Sequence, residues 1–255
     1  MLDKNTNKFK TLKRIIISVS GIVFFFLVWF IVATCINSTL FPTPFVAFAQ
    51  MFNLLGKSST WLAIGGTFLR LLIAFGISLI LALIFGILAG LIKGFKRFFS
   101  PFVTVFRTIP TAALIFILIV LVKSTVSLVI IDFLLMFPIL YEAVVTGIRN
   151  IDKTVIDALE VDQGKTNKLA IFKVLIPMSG PYIILGMIQS LGLGMKVSIM
   201  SEVLVGDTSV PGLGRMLRVA SSEADMPTIF AIAIISIVLI SLLDILVKTL
   251  KKKFS

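Results

Sequence analysis

The stretch "LLIAFGISLILALIFGILAGLI", residues 71–92, runs for 22 residues without one ionisable side chain, and its single hydroxyl is Ser78. An α-helix rises about 1.5 Å per residue, so a run of this length reaches across the roughly 30 Å hydrocarbon core of a bilayer. Hydrocarbon offers no partner to a peptide N–H or C=O, and a helix satisfies both internally. The stretch therefore predicts a transmembrane helix. Ile15 to Ile36 and Pro227 to Val247 read the same way. Phe98 to Val122, Ser124 to about Gly147 and Pro177 to about Val205 carry isolated polar residues but stay apolar enough to span. The expectation is an all-α, polytopic membrane protein of six spans. A composition that is 58% hydrophobic and 14% charged excludes an ordinary soluble domain.

The net charge of +12 raises nucleic acid as a partner, but the placement of the cations answers against it. Most of them fall in four clusters: Lys4 to Arg14, Lys93 to Arg97, Arg149 to Lys173, and Lys248 to Lys253. With six spans, all four clusters lie on one side of the membrane, and Lys57, Lys123, Arg215 and Arg218 lie on the other. The positive-inside rule then places both termini in the cytoplasm. Cys35 stands alone and the chain has no histidine, so a disulfide framework, a thiolate metal site and an imidazole base are all excluded. "IVATC" ends an apolar run too long for a signal-peptide core, with Thr34 before the cysteine, and reads as an uncleaved first span.

Residues 1–14 form a basic cytoplasmic tail, and 15–255 form a single transmembrane domain. Between the first two spans, "FPTPFVAFAQMFNLL" starts with a Pro-x-Pro stop. Val46, Phe48, Met51, Phe52 and Leu55 supply one apolar face of a short interfacial helix. Gly86 and Gly90 make a small-xxx-small spacing that suits close helix packing. Pro101 and Pro110 are expected to break the third span.

The longest polar interruption is "ALEVDQGKTNKLAIFKVLIP", residues 158–177. Ile148, Ile151, Val155 and Leu159 lead into it at helical spacing. Asn150 is a candidate cap, with Asp152 in the first turn, and Gly164 can end the helix in the left-handed conformation. A second short helix, "NKLAIFKVLI", leads to Pro177. Two amphipathic helices joined at a glycine need a surface to cover. The bundle's own cytoplasmic face and a separate docking protein satisfy that need equally.

In this region the chain resembles the permeases of bacterial binding-protein-dependent ABC transporters. Their cytoplasmic loop carries Glu-Ala-Ala, three residues, Gly, nine residues, then Ile-x-Leu-Pro. Gly164, Val174, Ile176 and Pro177 stand at those offsets, whereas 158–160 read Ala-Leu-Glu. The chain is also similar to the nitrate, sulfonate, taurine and pyrimidine branch of these permeases. "FPTPFVAF", Arg70 with Gly76, Pro101 with Arg107 and Pro110, "GIRNID", Pro181, Gly186, Leu191, Gly192 and Glu202, and "PGLG" at 211–214 carry that likeness.

The resemblance implies a type I importer permease in the bacterial inner (plasma) membrane with coupling helices at 149–176. Contact with the ATPase would fall to Asp157, Ala158, Leu159, Glu160, Gly164, Lys165 and Pro177. It further implies two copies of an ATPase subunit carrying ATP and Mg, a second permease copy in a homodimer, and an extracytoplasmic solute-binding protein. No cofactor is expected on this chain, which holds no G-x-x-x-x-G-K-[ST] phosphate loop, and no enzymatic activity of its own.

Charged residues within spans cost about 2.5–3.5 kcal/mol at mid-helix and normally face a cavity or a partner. Arg107, Lys196, Glu202 and Arg70, with Met195 as an adaptable neighbour, are the candidate translocation path, suited to an anionic or zwitterionic solute. The alternative is a fixed ion pair of Arg70 or Lys196 with Glu202. Glu142 and Asp244 read as solvated groups near the cytoplasmic surface. Two rival functions remain in view. An ion-gradient-driven secondary transporter would normally show more spans and inverted repeats. A membrane enzyme could use Asp152, Asp157, Glu160 and Asp162 as Mg²⁺ ligands, though their spacing matches no tight metal motif.

Overall fold

The computed structural model describes residues 2–36, 38, 40–122, 125–152, 154–155, 157, 171–206 and 210–254. Helices follow one another as α1 (Leu2–Ile36), α2 (Pro44–Leu55), α3 (Ser58–Leu91), α4 (Lys93–Thr108), α5 (Thr111–Leu121) and α6 (Thr125–Arg149). A π-helical turn at Ile171–Leu175 then leads into α7 (Ile176–Val205), α8 (Leu213–Ser222) and α9 (Met226–Phe254). No strand occurs among the described residues. Among the described residues, five helices are long and apolar enough to cross a membrane, or six if the bent pair α4–α5 is one span.

That pair carries the break expected in the third span over Phe98 to Val122, at one of its two prolines. Its two halves meet at 97°. The break falls at Pro110, which has no amide to continue the ladder and holds Ile109 extended at φ −62°, ψ 127°. Pro101 does not break the chain; it lies inside α4.

The chain divides into two compact units. The first comprises residues 1–57 and 219–235. It is built on aromatic packing: Trp29 stacks on Phe230 at 5.6 Å and Phe41 meets Phe230 edge-on at 5.5 Å. The Trp29 indole N–H donates to the Pro42 carbonyl, so a ring that is apolar over most of its area still has its polar edge satisfied. Gln50 donates to the Thr228 hydroxyl at 2.7 Å. The buried stripe of α2 is Pro44, Ala47, Met51 and Leu54, while Phe45, Val46 and Phe52 are exposed. Of the face expected to lie at the membrane interface, Met51 is buried within the chain, Phe48 and Leu55 are half-buried, and Val46 and Phe52 are exposed.

The second unit comprises residues 58–218 and 236–255. Its centre is α6, which packs most extensively on α3 and α7. Leu140, Val144, Ile131 and Met136 of α6 are fully buried. Phe85, Phe95, Phe99, Phe137 and Tyr141 bring the aromatic faces of α3, α4 and α6 together, with Phe85 and Phe99 stacked at 5.0 Å. In lipid the hydrophobic effect does not drive one helix onto another, so dispersion between closely fitted surfaces carries the association.

Gly86 and Gly90 supply that fit. A Cβ on Gly86 would lie 2.7 Å from the Val144 Cβ, and one on Gly90 would lie 2.8 Å from the Ile148 Cβ. We expect Gly86→Val to force α3 and α6 apart at a cost of about 1–3 kcal/mol. Gly76→Ala, with nothing within 4 Å of its added Cβ, should be tolerated or slightly stabilising. Unfolding midpoints of the two variants in one detergent check the contrast.

Beyond α6 the cap falls two residues later than Asn150, at Asp152. The Asn150 N–H still bonds to the Thr146 carbonyl, and the Asp152 carboxylate accepts the Thr154 N–H at 3.0 Å. That backbone hydrogen bond holds the exposed Asp152 below its ordinary pKa. Its contribution to the cap is therefore present above the unfolded value and lost as pH falls through the lowered one. An NMR titration of the Asp152 carboxyl should show a midpoint below the usual aspartate value.

Candidate functional site

Helix α4 has three different faces. Phe95, Phe99 and Val103 point into the core of the second unit. Phe98, Phe102 and Val105 are exposed and apolar. Lys93, Lys96, Ser100, Thr104 and Arg107 recur at helical spacing along the third. A polar stripe of this length in a membrane helix requires water or a polar partner beside it.

At the far end of the stripe Arg107 lines a cavity of 290 Å³ formed with α6 and α7. Glu142 and Thr146 come from α6, Tyr182 and Gln189 from α7, and Ile139, Ala143, Leu185 and Gly186 complete the wall. Gly186 lets α7 approach this closely: a Cβ there would lie 2.4 Å from the Ala143 Cβ. Lys196 is exposed on α7 seven residues beyond Gln189, hence on the same helical face. The cavity thus offers a guanidinium, a carboxylate, an amide and hydroxyls. That donor set suits a small solute carrying an anionic group, alone or with a cationic one.

The other candidate path residues are placed differently. Arg70 and Glu202 are buried together in an ion pair at 2.5 Å, with side chains only 8% and 4% exposed. Met195 is fully buried. Around Glu202 the structure builds a clamp on the turn that precedes α8. The Glu202 carboxylate accepts from Arg70, from the Thr67 hydroxyl at 3.0 Å and from the Gly214 N–H at 2.8 Å. Thr67 in turn accepts the Leu213 N–H, and Arg70 also donates to the Pro211 carbonyl. Leu213 and Gly214 open α8, so the carboxylate sits where free N–H groups and the helix dipole favour negative charge. Added Cβ atoms at Gly212 and Gly214 would lie 2.4 Å from the Glu202 Oε2 and 2.3 Å from the Ile199 carbonyl oxygen. Only glycine lets the turn seat this deeply.

Asp132 is also buried and accepts the Ser198 hydroxyl, while its Oδ1 lacks a partner among the described residues. Of the expected coupling residues, Pro177 lies in the first turn of α7 and Asp157 is exposed. Ala158, Leu159, Glu160, Gly164 and Lys165 lie outside the described residues. Sequence reasoning passed over Thr67 and Gln189, and read Glu142 as a solvated group where the structure places it in the cavity wall. Glu142 and Gln189 carry a signal in retrospect, since each is a polar residue in a span, on a helix face exposed in the chain.

Residues 82–255 match the binding-protein-dependent transport system inner membrane component family, and the chain belongs to that family, the permease subunits of ABC importers. It is a transport component and not itself the ATPase. In fold it is similar to a chain of the MetNI methionine ABC transporter solved in inward-facing conformations. The TM-score is 0.63 at 19% identity, covering 76% of this chain and 97% of that one. Comparison with curated proteins gives no match.

Proposed function

We propose that this chain forms half of the translocation path of an ABC importer for a small anionic or zwitterionic solute of the nitrate, sulfonate and taurine kind. A second copy completes the path. An extracytoplasmic binding protein delivers the solute. Two ATPase subunits, which carry ATP and Mg, drive the cycle through residues 149–176 in a bacterial cell membrane.

The observation that carries the reading is the cavity lined by Arg107, Glu142 and Gln189. These are polar side chains within membrane helices, gathered on faces that the chain itself leaves open. A fixed salt-bridge role does not account for Arg107, because no ion pair involves it among the described residues.

The test is purification of the tagged chain from its native membrane, followed by identification of stoichiometric partners and an ATPase assay. A co-purifying nucleotide-binding subunit, lost when residues 150–176 are replaced by a Gly/Ser linker, is the expected result. A chain that purifies alone in several mild detergents would overturn the reading.

A further inference from the structure

At the other end of the α4 stripe lies a second cavity, of 730 Å³, that the transport path does not account for. Lys93, Lys96, Arg97 and Arg149 line it, with Ser100 and Thr104 beside them and no carboxylate in the lining. Scattered basic residues at a membrane surface need no ligand, but these four converge on one cavity from two helices. Lys93 opens α4 and Arg149 closes α6, so the cluster sits at helix ends. The Arg149 guanidinium is held in place by donating at 3.2 Å to the carbonyl of Ala89, in the last turn of α3. That carbonyl has no acceptor role left within the helix, so the contact satisfies it and orients the arginine.

The remaining wall is apolar. Pro101 and Val105 border the cavity, and Phe98 and Phe102 continue the same exposed face of α4 at 68% and 54% exposure. Unlike the cavity at Arg107, this one carries several cations and no carboxylate to balance them. Cations and hydroxyls at the floor with an aromatic, lipid-compatible wall match an amphiphile instead, its phosphate on the basic groups and its acyl chains along Phe98 and Phe102.

We propose that this cavity is a binding site for the phosphate of an anionic phospholipid headgroup, held by Lys93, Lys96, Arg97 and Arg149. The site goes beyond the transport reading and does not depend on it. A bound lipid would sit against α4 on the side away from its core contacts, and would tie α4 to the end of α6.

The experiment is native mass spectrometry of the full chain in detergent, titrated with phosphatidylglycerol or with phosphatidylcholine of the same acyl chains. Phosphatidylglycerol should bind at least tenfold more tightly. K96Q together with R97Q should weaken it about tenfold or more, at roughly 1 kcal/mol per cation, and leave phosphatidylcholine unchanged. K13Q with K248Q, the same charge change elsewhere, should leave both lipids unchanged. Should K96Q/R97Q fail to fold, lysine acylation of the wild-type chain gives the same answer: phosphatidylglycerol should protect Lys93 and Lys96, and not Lys57.

Equal binding of the two lipids, or an equal loss in K13Q/K248Q, would overturn the proposal in favour of diffuse charge attraction. Millimolar inorganic phosphate that displaces the lipid and protects the same lysines alone would assign the site to free phosphate. Protection by a co-purified ATPase subunit but not by lipid would make it a protein interface.

Discussion

Replacing Glu202 by alanine should destabilise the protein by about 3–5 kcal/mol. The carboxylate is buried with Arg70, and removing it strands a buried guanidinium as well as the Thr67 hydroxyl and the Gly214 N–H. Glu202→Gln should cost less, because its amide oxygen still accepts from Thr67 or Gly214, although Arg70 keeps an unbalanced charge. Arg70→Met combined with Glu202→Gln should recover much of the loss of either change alone, since a pair removed together leaves no buried charge. The four proteins make a double-mutant cycle, read as unfolding midpoints in a graded SDS–detergent mixture. Additive single effects would show that the two side chains do not act as a unit. The local consequence is as specific as the global one: Leu213 and Gly214 should lose amide exchange protection first, because their N–H groups end at Thr67 and Glu202.

The legible part of this molecule was whatever depends on the run of side chains along one helix. Residues 71–92 announce a span because their composition suits hydrocarbon, and α3 covers all of them but Ile92. Gly86 and Gly90 announce close packing because their spacing puts both on one face, and that face meets Val144 and Ile148. What depended on a second helix was legible only as alternatives: the sequence offered Arg70 or Lys196 as a fixed partner for Glu202, and the fold pairs Arg70. Arg70 and Glu202 are 132 positions apart. Hydropathy marks each as an intramembrane charge, but only their adjacency separates a structural pair from a path residue. Pro101 and Pro110 looked equivalent, yet one is absorbed in α4 and the other turns the chain by 97°. The difference is whether the residue before each proline stays helical, which Ile109 does not. Glu142 read as a solvated end-of-helix charge, and its cavity requires α7 to approach α6 at Gly186, a contact that no local pattern encodes.

In the reconstituted transporter, Arg107→Glu should lower solute transport by tenfold to a hundredfold while leaving the basal ATPase rate and the subunit composition unchanged. A charge-assisted hydrogen bond to an anionic group contributes about 1.5–3 kcal/mol, and each 1.4 kcal/mol is a factor of ten. Reversal replaces that attraction by repulsion, and does so beside Glu142, which lines the same cavity. Arg107 is exposed and takes part in no ion pair among the described residues, so the fold should survive the change. Arg107→Lys keeps the charge but not the planar fork, and should retain a substantial part of the rate. Glu142→Gln then separates the two solute classes. A purely anionic solute gains from losing a neighbouring carboxylate, so its transport should hold or rise. A zwitterion loses the partner of its cationic group, so its transport should fall in step with Arg107→Glu. Uptake of sulfonate and nitrate solutes into proteoliposomes, with ATP hydrolysis measured in the same vesicles, reads all three variants. Unchanged uptake in Arg107→Glu would remove the cavity from the path, because no solute carrying a negative charge could pass a reversed charge there without slowing.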